Sequence, residues 1–224
     1  MRTFLDKFIE LFKWPVAIYM LLSIPACLMS FKYFYFFSTK FICFWGGFIF
    51  FFFTFTVADK SVRTSMQTAA HELTHTFFAL LTFHKIDHIR VNPDDSGGSM
   101  GFHGEGNWLI IIAPYFFPLF IFFLMIVGEF FIDAGKVGLV FNGALGYLMG
   151  YHVDMVSSQI HEKQTDFPKV SFKFCWMFLP AANLTVIGSV LAFNSKGWEG
   201  VFLYNKLIYT LNIKNLDYLL ELIF

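Results

Sequence analysis

Apolar segments long enough to cross a bilayer recur along this chain, at about 14–30, 41–57, 67–83, 108–132, 137–157 and 172–193. A membrane helix needs about 20 mostly apolar residues. With 224 residues in all, little is left over for a separate soluble unit. Hydrophobic residues make up 57% of the chain and charged ones 14%, a balance for which lipid is the natural solvent. The expected fold is therefore all-α: a polytopic membrane helical bundle of about six transmembrane helices. It forms one membrane-embedded domain over 1–224, with a helical core at 14–193.

Between these segments the chain changes character only once at length. The stretch 84–107 holds His84, Lys85, Asp87, His88, Arg90, Asp94, Asp95 and Glu105 together with Gly97 and Gly98. Alternation at Ile86, Ile89 and Val91, followed by Asn92-Pro93-Asp94-Asp95, predicts a small polar β-hairpin or loop beside the membrane. After Asn194, Ile208, Leu211, Ile213 and Leu216 are spaced among Lys206, Lys214 and Asp217, which predicts an amphipathic C-terminal helix over 194–224. Arg2, Lys7 and Lys13 before the first segment, and Lys60 and Arg63 after the second, favour a cytoplasmic N-terminus. The expected location is thus an integral, multi-pass one, in a bacterial inner membrane.

Charge and cysteine content remove other classes. Sixteen basic residues balance sixteen acidic ones with no long basic run, so no nucleic-acid partner is expected. Cys27, Cys43 and Cys175 are far apart in apolar stretches, which suits neither a disulfide framework nor a thiolate metal site.

Chemistry concentrates at His71-Glu72-Leu73-Thr74-His75. On a helix, residues four apart share a face, so His71 and His75 can present imidazole nitrogens to one Zn²⁺. Glu72 then sits where its carboxylate can reach a water at the metal rather than the metal itself. Neither Thr64 to Ala70 nor Thr76 to Leu81 contains Gly or Pro, so the helix that the motif needs is available. Two histidines and a glutamate are costly inside an apolar segment and point to function there. Zinc lowers the pKa of its water to about 7, and Glu72 as general base would complete the hydrolysis of a peptide bond.

A catalytic zinc keeps three protein ligands and one open position. The expected third ligand is Asp154, at the end of the fifth segment in Gly150-Tyr151-His152-Val153-Asp154. His152 is its competitor; His161 and Asp166, further out beside Glu162 and Lys163, read as a solvated loop from which either could support the ligands, with Asp166 also an alternative ligand. Two features could shape the substrate path. Pro114 and Pro118 break backbone hydrogen bonding inside one apolar segment, opening it for an extended peptide or only kinking it. Asn142, like Asn183, is a candidate to hydrogen-bond substrate, although joining helices is the more common role of a membrane asparagine.

With a helix-borne HELTH, a Gly-bearing polar stretch, a proline-bearing segment and a later Asp, residues 65–170 resemble the site-2 protease family of intramembrane zinc metalloproteases. The likeness is to its shorter branch, in which a Tyr/Asp segment precedes a Ser/Thr-Asp pair, here Tyr151, Asp154 and Thr165-Asp166. The resemblance implies His71 and His75 as zinc ligands, Glu72 as base, Asp154 as third ligand, and a membrane or membrane-adjacent protein as substrate. Three features depart from better-known members: there is no Asn-x-x-Pro stretch leading to Leu-Asp-Gly, no Gly after Asp154, and no insertion long enough for a PDZ-like unit. The alternative expectation is a zinc-binding membrane protein without proteolysis, such as a transporter or a protease-like scaffold.

Overall fold

The computed structural model describes residues 4–34, 37–92, 97–161 and 164–223. Pro93, Asp94 and Asp95 of the expected turn, and Glu162 and Lys163, lie outside the described residues. The elements in chain order are α1 (Phe4–Leu11), α2 (Lys13–Ser30), α3 (Thr39–Val57), α4 (Lys60–Leu81), β1 (Ile86–Val91), β2 (Gly98–Phe102), α5 (Trp108–Ile112), α6 (Leu119–Gly128), α7 (Lys136–Gln159), α8 (Asp166–Val170) and α9 (Phe172–Ile223). The fold is a helical membrane bundle with one small antiparallel sheet, β1 against β2.

Helices stand at all six expected places. By length and apolarity, however, only α2, α3 and α9 could each cross a membrane, with α5 and α6 a fourth span if their bent pair counts as one. The shortfall has a simple cause. α4 carries Lys60, Arg63, Gln67 and the motif, and α7 carries Asn142, His152 and Asp154, so the helices that build the site are the least apolar ones. The break between α5 and α6 is an 81° bend where Pro114 and Pro118 remove backbone donors. A 3₁₀ turn, Ala113–Tyr115, occupies the corner.

α3 and α7 cross in close contact. A Cβ on Gly146 would lie 1.8 Å from the carbonyl oxygen of Phe44, so only glycine lets these backbones meet. α9 folds back on itself at Lys196 and Gly197, where the helical angles fail and Gly197 takes a φ of 61°. Glu129 Oε2 accepts from Trp198 N at 3.0 Å, placing a carboxylate at the start of the returning arm, where a helix leaves its amides free. The arms pair antiparallel, with Asn205 Nδ2 donating to Ser189 Oγ at 3.2 Å and Trp198 edge-on to Phe193. Thus the segment after Asn194 lies against the bundle: Tyr204, Ile208 and Leu211 pack with Ala26 and Cys27 of α2, while Lys206 and Lys214 stay exposed.

The hairpin does not project away from the helices. It runs back beside the last four turns of α4, with Phe102 edge-on to His84 near the end of α4 and Gly98 against Thr68. Six extended residues and thirteen helical ones both span about 20 Å, so the two match in length.

Candidate metal centre

α4 begins at Asp59, whose side chain accepts from Ser61 N at 2.8 Å, and runs unbroken through the motif. Helical spacing brings His71 and His75 together, with their Nε2 atoms 3.0 Å apart. A third donor joins them from the opposite wall: Asp166 Oδ2, on the first residue of α8, is 3.4 Å from His71 Nε2 and 3.3 Å from His75 Nε2. All three residues are buried, and among the described residues this is the one group of three metal-ligating side chains that converges closely enough to share an ion.

The triangle fits zinc. Tetrahedral ligands with bonds of about 2.0 Å stand about 3.3 Å from one another, close to the three separations found here. The second nitrogen of each ring is also committed. His75 Nδ1 donates to the Ile110 carbonyl at 2.7 Å, and His71 Nδ1 donates to Gln159 Oε1 in a short contact. Those partners keep the proton on Nδ1 and leave each Nε2 lone pair facing the third donor.

Asp166 is held as firmly. Lys169 Nζ donates to Oδ1 at 2.9 Å and Tyr115 Oη donates to Oδ2 at 3.1 Å. Burial alone would raise the pKa of this carboxyl, but the neighbouring His71 and His75 rings and the hydrogen bond from Lys169 outweigh it and hold it well below the usual carboxylate range. Tyr115 also sets its ring edge-on against His71, with centroids 5.1 Å apart. Asn183 Nδ2 in turn donates to the Tyr115 carbonyl at 3.0 Å, across the break in the α5–α6 segment.

The expected third ligand sits elsewhere. Asp154 accepts from Gln67 Nε2 at 2.6 Å, opposite a residue one turn before His71 on α4, and it is not in the convergent group. His152 is buried beside Thr74 and Phe120, away from the group, and Asn142 is buried in α7; neither lines the metal cavity. Pro114 forms the turn that presents Tyr115 and does not line it either. His161 does border the cavity. Gln159, Lys169, Tyr115 and the Ile110 carbonyl were not anticipated from the sequence. Only Lys169 carries a local signal, its three-residue spacing from Asp166; Gln159, Tyr115 and the Ile110 carbonyl reach the centre from other elements.

A cavity of about 630 Å³ opens on the centre, lined by His71, Glu72, His75 and Asp166 on one side and by β2 residues Gly98 to Met100 on another. Glu72 is buried and lines this cavity together with His71 and His75. β2 comes so close that a Cβ on Gly98 would lie 2.6 Å from Thr68 Cγ2 and 2.9 Å from Glu72 Cγ. The hairpin is therefore one wall of the site.

An HExxH helix joined by a distant buried carboxylate, inside an apolar helical bundle, has the layout of a membrane metallopeptidase. A family model described as Peptidase M50B-like matches residues 48–141, and this is the site-2 protease family that the HELTH segment resembles. The matched stretch holds the motif, the hairpin and the α5–α6 corner, while Asp154 and Asp166 lie beyond it. No curated protein and no solved structure matches the chain.

Proposed function

We propose that this chain is an intramembrane zinc metalloendopeptidase that cuts membrane or membrane-adjacent proteins, with zinc held by His71, His75 and Asp166. The observation that carries this reading is the triangle of His71 Nε2, His75 Nε2 and Asp166 Oδ2, with sides of 3.0 to 3.4 Å, at the wall of a cavity that Glu72 shares. Two neutral imidazoles and one carboxylate match the ligand set of hydrolytic zinc sites, and the cavity leaves a side open to water and substrate.

When bound, Zn²⁺ supplies Lewis acidity, bringing the pKa of a water to about 7. Glu72 takes the proton from that water as its oxygen attacks the carbonyl carbon, then delivers a proton to the amine nitrogen as the C–N bond breaks. The products are a carboxylate and a free amine, with no acyl-enzyme. The hairpin wall and the wide cavity suit a peptide in extended form, since a closed helix would hide its carbonyls from the centre.

The test is zinc analysis and membrane-proteome comparison of wild type and Glu72→Gln. Zinc near one per chain in both proteins, with fragments cut in or beside a membrane segment only in wild type, is expected. Cleavage that survives Glu72→Gln overturns the peptidase reading. Zinc binding without any cleavage by wild type assigns the chain instead to a metal-binding scaffold.

A further inference from the structure

Among the buried polar groups outside the cavity, Asp6 stands apart. It lies on α1, with 0% of its surface exposed. On the opposite face of the same helix, Phe4, Phe8 and Leu11 are exposed, an apolar stripe at helical spacing suited to lipid. Burying a carboxylate in a membrane protein is costly unless partners compensate, and the partners of Asp6 lead toward the metal.

Oδ2 of Asp6 is 3.2 Å from His84 Nε2, and Oδ1 accepts from Asn107 Nδ2 at 2.7 Å. That second bond fixes which way the Asn107 amide points. With its nitrogen turned to Asp6, its oxygen faces α5 and accepts from Leu109 N at 3.1 Å and Ile110 N at 3.2 Å, capping the helix. The Ile110 carbonyl then takes the His75 Nδ1 proton at 2.7 Å. Trp108 Nε1 donates to the Ile9 carbonyl at 2.7 Å and ties the same two helices a second time. α5 has only five residues, so its placement depends on its cap more than a long helix would.

We infer that Asp6 is a positioning residue for the metal centre, acting through Asn107 and the cap of α5 to hold the Ile110 carbonyl against His75. The inference rests on the zinc site proposed above. It assigns to α1, which lies outside the family-matched stretch, a part in setting the orientation of a zinc histidine. His84 Nε2 lies beside the other oxygen, so Oδ1 is the one that Asn107 engages.

The experiment measures zinc affinity by chelator competition and the visible spectrum of the Co²⁺-substituted protein, using the full chain in detergent. Asp6→Ala should bind zinc roughly tenfold more weakly, as loss of an outer partner of a zinc histidine does, and should alter the Co²⁺ bands. Asp6→Asn keeps an acceptor for Asn107 and should stay within about twofold of wild type. Asn107→Ser caps α5 without a partner on α1, so Asp6→Ala should add nothing in that background. Unchanged zinc affinity and spectrum in Asp6→Ala, or an equal loss in the Asn107→Ser background, overturns the inference. Should Asp6→Ala not fold, Asn107→Asp, which keeps the cap but sets a second carboxylate against Asp6, must show the same zinc loss, and wild-type affinity there is equally decisive against it. A wild-type chain that binds no zinc refutes the metal site itself, whereas zinc-binding variants that match wild type refute only the relay.

Discussion

Lys169 Nζ lies 2.9 Å from Asp166 Oδ1, and this contact turns the other oxygen, Oδ2, toward His71 and His75. With Oδ1 held by Lys169, Oδ2 is the oxygen presented toward the histidines, and it keeps a second lone pair beside its bond from Tyr115. Because α8 supplies both residues three positions apart, a single helical turn fixes the orientation. Asp166→Ala should abolish stoichiometric zinc binding, Asp154→Ala should leave it intact, and Lys169→Met should weaken it by up to about tenfold. Metal content of the purified variants checks all three, and loss of zinc in Asp154→Ala alone would reassign the ligand.

Gln159 closes α7 and accepts the His71 Nδ1 proton through its amide oxygen. Outer partners of this kind are worth about 10- to 100-fold in zinc affinity. Gln159→Leu should lose that much, and Gln159→Glu, which keeps an acceptor, should not. Chelator competition separates the two.

Gly98 leaves no room for a side chain, because a Cβ would meet Thr68, the Arg90 carbonyl and Glu72 within 3 Å. Gly98→Ala should push β2 away from Glu72 while leaving His71, His75 and Asp166 in place. Zinc content should hold, and cleavage should fall about 10- to 100-fold from misplacement of the substrate wall. A variant with wild-type turnover would show that β2 does not shape the reactive geometry.

Gly146 is the corresponding constraint in the bundle, since its Cβ would lie 1.8 Å from the backbone oxygen of Phe44. Overpacking of this kind costs about 1–3 kcal/mol. Gly146→Ala should therefore lower the unfolding temperature in detergent and shift α7 against α3. The accompanying loss of zinc should be small, because Gln159, the α7 residue that touches His71, lies more than three turns further along the helix.

The membrane bundle and the heart of the site were legible in the sequence for local reasons. Apolar runs report length against a bilayer, and HELTH reports two imidazoles on one helical face because four residues make about one turn. Neither depends on how distant parts meet. The polar hairpin was visible too, through its alternation at Ile86, Ile89 and Val91, but not its position as a wall beside Thr68 and Glu72.

Where the two carboxylates lie relative to the motif is set by tertiary structure alone. Along the chain Asp154 is the nearer candidate, and its helix reaches α4 through Gln67. Yet α7 brings it opposite Gln67, one turn short of His71, and the chain must leave α7 at Gln159 and return through α8 before a carboxylate reaches both imidazoles. The same holds for the Tyr115 hydroxyl and the Ile110 carbonyl, which a proline-broken corner brings to the centre. Sequence spacing fixes which groups share one helix face, whereas the crossing of helices and the return of a loop set which groups from different elements converge. The two histidines and Glu72 were therefore written locally, and the residues that complete and orient them were set by packing.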